Sequence, residues 1–446
     1  VTGAPPPPYA RLRPIIESRN ERDAYALQQE RHIVSDSREL TRSEVFEAVT
    51  LAESDLFRAL QRVPGVGTRD DYTATMWTRG ASWDQTRVYF DGMPLYNPTH
   101  AGWLFAAVNP EAIGAASFHP GYRSAEWGEG TAAVLDLRSR RGRSGEPFGG
   151  NAEVSLVSAR LSADGEIGDG KANWLIALRR SYVDLLDGFL AGLADREELQ
   201  IAYDFSDVAA RLDGELGNGW RYEASGILER DHLRGDIPGL LRGNRGRWGN
   251  QAGRITLEAP FGPLLARATV GGTNFSTFIV EEDAVEGWRG ATLPTLENAI
   301  AHRTLALEVQ PMAREGSERP WAAGLQLMRD TVTYEGTYSL LGALVSGGTR
   351  DPLVHRPYDY GNALAHSALW GERRWELAPR ATALTGIRAE FGDSVHNGGR
   401  LRLAPRLAVR LGPFTGTTVS GSWSRSYQYI QDIAPAAGPI GPQLHL

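Results

Sequence analysis

Trp77, Tyr96, Asn97, His100 and Trp103 lie close together in the chain, among turn-forming residues. Aromatic faces beside an amide and an imidazole can hold a polar ligand such as a sugar or a chelate. The alternative is that Trp77 and Trp103 pack a small core. No catalytic constellation accompanies them: there is no His-Glu-x-x-His, no Gly-x-Ser-x-Gly and no phosphate-cradling Gly-x-x-x-x-Gly-Lys-Ser/Thr. The 9 histidines are scattered without ligand spacing, so no metal site and no cofactor is expected. Asp164, Glu166 and Asp169 lack the register and closing glutamate of a calcium loop and read as a solvated turn.

The elements that must position these side chains run from Arg79 to Gly142. Thr86 to Phe90 is a β-rich run, and Asp91-Gly92 directly after it predicts a tight turn. Pro94 and Pro98 fix backbone angles in the loop beyond. Asn109-Pro110 opens another turn, with a short helix expected from Glu111 to Ile113. Glycines 121, 128 and 130 follow, and alternation resumes at Ala133, Leu135 and Leu137. Upstream, Ser54 is the expected N-cap of a helix whose apolar face is Leu56, Leu60 and Val63, stopped by Pro64-Gly65.

After Gly142 the character changes to long alternating strands. From Leu401 to Leu411, leucines 401, 403, 407 and 411 and Val409 face one way, and Arg402, Arg406 and Arg410 the other. Thr417 to Tyr429 alternates likewise. The runs reach the nine to eleven residues that a tilted membrane strand needs. Short turns near 216–219, 260–263, 377–379 and 412–415 contrast with long loops expected at 231–250, 280–297 and 337–362, an asymmetry typical of outer-membrane barrels. About twelve strands are counted after residue 148, with the parity before Ile201 unsettled.

Composition fits this reading. The chain has 446 residues, 41% hydrophobic and 23% charged, without cysteine, so it has no disulfide and no thiolate metal site. A net charge of -7 argues against nucleic acid as partner. No run of 18 apolar residues predicts a transmembrane helix. No signal peptide is visible, and Pro5 to Pro8 read as a stiff linker.

The ordered set "DLFRALQRVPGV", an Arg-Gly element at Arg79, "DQTRVYFDGMPLYNPTH" and "NPEAIGAASFHPGYRSAEWGEGTAAVLDLRSRRG" resembles the plug domain of TonB-dependent outer-membrane receptors. The resemblance implies a mainly β fold: an N-terminal extension over 1–40, a small α/β plug domain over 41–142, and the first part of an antiparallel transmembrane β-barrel over 149–446. The family's barrels have about twenty-two strands, so the chain is expected to stop about halfway. It implies energy-coupled uptake of a scarce external ligand (iron chelate, vitamin, oligosaccharide or peptide) and no enzyme. The implied partners are outer-membrane lipid, a TonB-type inner-membrane protein and a possible surface lipoprotein. It also places Trp77, Tyr96, Asn97, His100 and Trp103 on plug loops facing the lumen or its mouth. Arg79 and Arg123 would lock the plug by pairing with wall carboxylates, and His32-Ile33-Val34-Ser35 is the candidate coupling segment. The rival reading is a surface β-protein that binds ligand or adheres without active transport.

Overall fold

The structure, a computed structural model, describes residues 37–50, 53–68, 73–101, 104–168, 170–182, 200–237, 241–280, 295–312, 320–340, 354–392, 400–414, 417–430, 432–433 and 444–445. His32, Ile33, Val34, Ser35, Trp103 and Asp169 lie outside the described residues.

The first unit is a small sheet packed on two short helices. Helix α1 (Arg42–Glu47) starts with a capping box, in which Glu44 donates its amide to the Thr41 hydroxyl and accepts from the Thr41 amide. Helix α2 (Leu56–Leu60) is capped by Asp55 rather than the expected Ser54. One Asp55 oxygen accepts from the Arg58 amide at 3.0 Å and the other from the Ala106 amide at 2.6 Å, whereas the Ser54 hydroxyl donates to the Phe46 carbonyl. A carboxylate satisfies two donors here where a hydroxyl would satisfy one. The helix ends at Leu60, before Pro64-Gly65, and Val63 packs partly buried against the same core.

Strands β1 (Arg38–Leu40), β2 (Thr86–Phe90), β3 (Met93–Leu95), β4 (Ile113–His119) and β5 (Ala133–Ser139) form a sheet in the order β1-β4-β5-β2-β3. Only the β5–β2 pair is parallel. The turn joining β2 to β3 has positive φ at both Asp91 (48°) and Gly92 (81°), which suits a two-residue hairpin. Leu56, Leu60, Phe90, Phe118, Leu135 and Leu137 are buried together as its core. Where a helix was expected at Glu111, a single 3₁₀ turn spans Pro110–Ala112.

Thirteen further strands pair antiparallel in sequence order. They are β6 (Gly149–Val154), β7 (Ser158–Ile167), β8 (Ala172–Ser181), β9 (Gln200–Gly217), β10 (Trp220–Ile237), β11 (Leu241–Phe261) and β12 (Leu264–Val280). Then come β13 (Thr295–Pro311), β14 (Trp321–Leu340), β15 (Val354–Ala378), β16 (Ala381–Gly392), β17 (Arg400–Phe414) and β18 (Thr417–Ser424). The expected count of about twelve was one short, and the uncertain region before Ile201 holds β6, β7 and β8.

Alternation divides the sheet into a concave face around the first unit and a convex apolar face. On β17, Leu401, Leu403, Leu407 and Leu411 are exposed while Arg406 is buried. Val208, Ile255, Val270 and Leu369 are exposed on the same convex side. In hydrocarbon, such a face stabilises the sheet rather than exposing it.

Two expectations are corrected. The loop expected at 231–250 is instead a continuation of the β10–β11 ladder, registered from Asp231↔Trp248 to Ile237↔Leu241. Its outward positions are the polar His232, Arg234, Arg245 and Arg247, while Asp231, Leu233 and Trp248 pack inward, so the apolar alternation of a membrane strand fades while the ladder persists. The run from Thr417 to Tyr429 is a strand only as far as Ser424. Beyond it the chain leaves the ladder, and Ile430 is buried against the first unit.

Ile255→Arg would place a charge in the middle of the convex apolar face. The expected cost is about 2–4 kcal/mol, read by urea titration of the protein folded into lipid vesicles. Arg at the solvated position Gln251 should cost under about 1 kcal/mol.

Candidate functional site

The small sheet is held inside the curved wall mainly through its own backbone. Arg179 on β8 donates to the Ala106 carbonyl at 2.8 Å, and Arg211 on β9 to the Ser139 carbonyl at 2.9 Å. Arg388 on β16 donates to the Glu126 carbonyl at 3.0 Å. Arg406 on β17 donates to the carbonyls of Arg123, Ser124 and Trp127. Neutral side chains add to the set: Thr273 donates to the Pro94 carbonyl and Gln326 to that of Glu126. Asn250 brackets Tyr96, accepting from its amide at 3.0 Å and donating to its carbonyl at 2.6 Å. Each wall group stands at an inward position of an alternating strand, which is why the strand pattern delivers it to the lumen.

The densest charge cluster surrounds His100, which is completely buried. Its Nε2 lies 2.6 Å from Asp207 and its Nδ1 2.8 Å from Asp231, so both ring nitrogens face carboxylates and the imidazole is held as the doubly protonated cation. Burial pulls its pKa down, but Asp231 and Asp207 outweigh that and raise it to about 10. The ring stacks on Phe205 with centroids 4.3 Å apart. Arg179 bonds Asp207 and lies 3.2 Å from Glu53 of the inner unit, which also accepts from the Ser158 hydroxyl at 3.0 Å. Tyr203 donates to Asp231 and accepts from the Ala101 amide at 2.6 Å.

Of the residues singled out from the sequence, Tyr96, Asn97 and His100 come together on one loop pressed against the wall. Tyr96 is buried beside Phe275 and Trp248. Asn97 has φ 49° and accepts from the Thr99 hydroxyl at 3.0 Å. Trp77 is 40% exposed on a separate short hairpin with Val66-Gly67, so it is not a core residue. Arg79 is exposed at φ 53°, its side chain lying over Gly65. Arg123 does enter the lumen, but it donates to the Ser426 hydroxyl instead of a carboxylate, and burial lowers its pKa to about 10. Carboxylate locks of the expected kind are made instead at the end of the plug, with Arg140 and Arg143 on Asp164 and Arg141 on Asp213.

The wall residues that do most of the holding were not singled out from the sequence. The signal available was a charged residue on the inward side of an otherwise apolar strand, as with Arg406 among the β17 leucines. Between wall and inner unit lies a cavity of about 130 Å³ bordered by Tyr89, Trp127, His302, Asp330, His366 and Glu390. His302 and Asp330 are joined at 2.7 Å across β13 and β14.

Two comparisons bear on this arrangement. A sequence model described as the TonB-dependent receptor plug domain matches residues 37–135, the span of the inner sheet. Solved structures share the combined fold. The ferric enterobactin receptor PfeA of Pseudomonas aeruginosa, as the R480A/Q482A mutant, superposes with TM-score 0.64 at 14% identity, over 94% of this chain and 67% of that one.

Residues 37–135 match the plug domain of TonB-dependent receptors, and the chain shares the fold of these solved receptors.

The outer-membrane transporter YddB of Escherichia coli is similar at TM-score 0.60 and 10% identity, over 88% of this chain and 61% of that chain. The siderophore receptor PirA of Acinetobacter baumannii gives 0.57 and 13%, over 92% and 65%. The chain therefore spans about two thirds of the length of those structures. Among curated sequences, the urease accessory protein UreD of Marinobacter nauticus is 28% identical over 163 residues, 36% of this chain and 51% of that protein, and it carries no argument about function. The inner sheet is the plug, the thirteen-strand sheet is barrel wall, and the protein is placed in the outer membrane.

His100→Asn should leave the wall carboxylates Asp207 and Asp231 buried without the plug cation they share, at a cost of about 3 kcal/mol or more. Because the folded pKa of His100 is raised above its unfolded value, its contribution is full below about pH 6.5 and fades as pH climbs towards about 10. Thermal unfolding of wild type and variant in detergent should therefore differ most at pH 6 and converge as the buffer becomes alkaline.

Proposed function

We propose that this receptor imports a scarce external ligand by an energy-coupled displacement of its plug. The observation that carries the reading is the plug's attachment: a lumen filled by a folded unit and held by separate polar contacts, each replaceable by water. Such a seal is stable when dry and gives way when a pull admits water. Ligand is held on the outer side by the wall above the Tyr96–His100 loop, whose own side chains are buried against that wall. A TonB-type inner-membrane protein pulls on the segment ahead of Arg38, where His32, Ile33, Val34 and Ser35 lie.

The plug's geometry suits a pull from that end. Strand β1 is an edge strand, joined to β4 through only three registered pairs, Arg38↔Phe118, Glu39↔Ser117 and Leu40↔Ala116. A force applied along the chain therefore meets a short ladder before it reaches the plug core. Several of the similar structures are siderophore receptors, which makes ferric chelates the first ligands to test, ahead of vitamins, oligosaccharides and peptides.

The test exploits the absence of native cysteine. Ser139→Cys with Arg211→Cys puts one thiol on the plug and one on the wall at a natural contact. Bridging the two with a short bis-maleimide should abolish uptake of radiolabelled ferric chelate while surface binding persists, and the unbridged double variant should still take it up. Uptake that survives bridging overturns the displacement reading. Surface binding with no uptake in the unbridged protein supports the rival reading of a passive binder.

A further inference from the structure

We propose that the run Ser424–Ile430 is a fixed lining of the plug–wall seam. Resting on the displacement reading of uptake, the run stays with the wall when the plug moves. It then presents Ser424, Ser426 and Gln428 to the space the plug leaves.

The alternation of this stretch outlasts its strand. The ladder to β17 stops after Arg425, whose amide donates to the Pro405 carbonyl at 3.1 Å. A hydrogen-bonded antiparallel pair needs a donor in return, and proline has none. Continuing the register from Arg406↔Ser424 would set Tyr427 across from Leu403. Instead the Tyr427 hydroxyl donates to the Leu403 carbonyl at 3.2 Å. The run therefore keeps its level on β17 while its backbone stands a side chain's length further into the lumen.

Its two faces meet different partners. The even positions turn to the plug. The Ser424 hydroxyl donates to the Gly121 carbonyl at 3.5 Å, and the Ser426 hydroxyl accepts from Arg123. Gln428 accepts from the Thr131 hydroxyl at 3.1 Å and donates to the Asp84 carbonyl at 3.0 Å. The backbone adds two contacts on this side, the Tyr429 amide to Glu129 at 3.3 Å and Arg87 to the Ile430 carbonyl. The odd positions turn to the wall. The Arg402 guanidinium on β17 lies 5.7 Å from the Tyr427 ring centroid and 5.1 Å from that of Tyr429. Tyr429 donates to Glu390 on β16, and its ring stacks on His366 of β15 with centroids 5.0 Å apart.

The faces differ in what water does to them. The plug-side contacts are separate hydrogen bonds, which water replaces at little net cost. The wall-side contacts are ring stacking and cation–π pairs, which water does not replace. A seam that admits water therefore parts on the plug side of the run. Arg87 and Arg123 leave with the plug, and the side chains left behind at 424, 426 and 428 are neutral. Hydroxyl and amide groups hold a passing polar ligand briefly, without the deep well of a fixed charge.

The experiment uses single cysteines in a chain that has none of its own. Ser426→Cys and Gln428→Cys report the plug side, Tyr427→Cys and Tyr429→Cys the wall side, and Ser139→Cys the plug itself at its Arg211 contact. Each protein, in lipid vesicles, is reacted with a charged methanethiosulfonate while urea is raised until Ser139→Cys reacts about tenfold faster than at rest. Heat-modifiable gel migration checks that the wall is still folded. Under those conditions Ser426→Cys and Gln428→Cys should also react about tenfold faster, and Tyr427→Cys and Tyr429→Cys less than about threefold. Should Tyr429→Cys not fold, Tyr427→Cys carries the wall side alone. Equal acceleration on both sides, or none at 426 and 428, overturns the proposal. So does a Ser139→Cys thiol that reacts only once the wall has unfolded. Urea, not ligand, moves the plug here, so a failure on the run leaves the bridging test of uptake to be decided separately.

Discussion

The plug stays in the lumen because the wall donates hydrogen bonds to its main chain. Arg179, Arg211, Arg388 and Arg406 come from four different strands, and each ends on a plug carbonyl. A carbonyl inside a protein-lined channel has no bulk water to turn to, and leaving it unpaired costs about 1–3 kcal/mol. A guanidinium in the same place is worse off without a partner. Each group therefore answers the other's burial, and the rest of the lumen's polarity is arranged around that exchange. Removing the plug without admitting water would strand all four cations at once. Admitting water returns most of that energy, because the net value of an exchanged hydrogen bond is only about 1 kcal/mol.

The His100 cluster works by a different balance. Two wall carboxylates sit on one plug imidazole, and Arg179 ties Asp207 to Glu53 of the plug. Here charge, not backbone geometry, joins the two units. Such pairs are specific to side chains, and the loop carrying Tyr96, Asn97 and His100 is the one they fix in place. The carbonyl contacts hold the plug as a body, whereas this cluster sets the position of one loop.

Much of this architecture could be read from the sequence. Strand alternation gave the inward and outward faces of β17 correctly, and the plug's ordered turns and strands stood out in a single stretch. What could not be read was pairing across distance. Arg406 was visibly on the polar side of its strand, but its acceptors are main-chain atoms of residues 123, 124 and 127, which no side-chain pattern encodes. The β10–β11 extension was hidden because its outward positions turn polar and charged, which ends the apolar alternation while the ladder continues. The run after Ser424 shows the converse: its alternation continues, but the backbone turns inward, where Arg87 donates to the Ile430 carbonyl and Gln428 to that of Asp84.

The plug's glycine-rich span follows from the same main-chain recognition. A Cβ on Gly128 would stand 2.8 Å from the Arg388 guanidinium and 2.9 Å from Glu390, and one on Gly142 would stand 2.2 Å from the Trp174 carbonyl oxygen. At Gly142 the plug backbone passes so near the wall backbone that no side chain fits, whereas at Gly128 it is the ends of two wall side chains that come close. Arg388 and Arg406 reach the carbonyls of residues 123 to 127, which directly precede Gly128. Gly142 thus marks a place where plug and wall touch through backbone, Gly130 is hemmed in by the plug itself, and Tyr122 and Trp127 are buried beside them. A plug recognised this way depends on its path through the lumen more than on the identity of its side chains, and the wall arginines are what read that path.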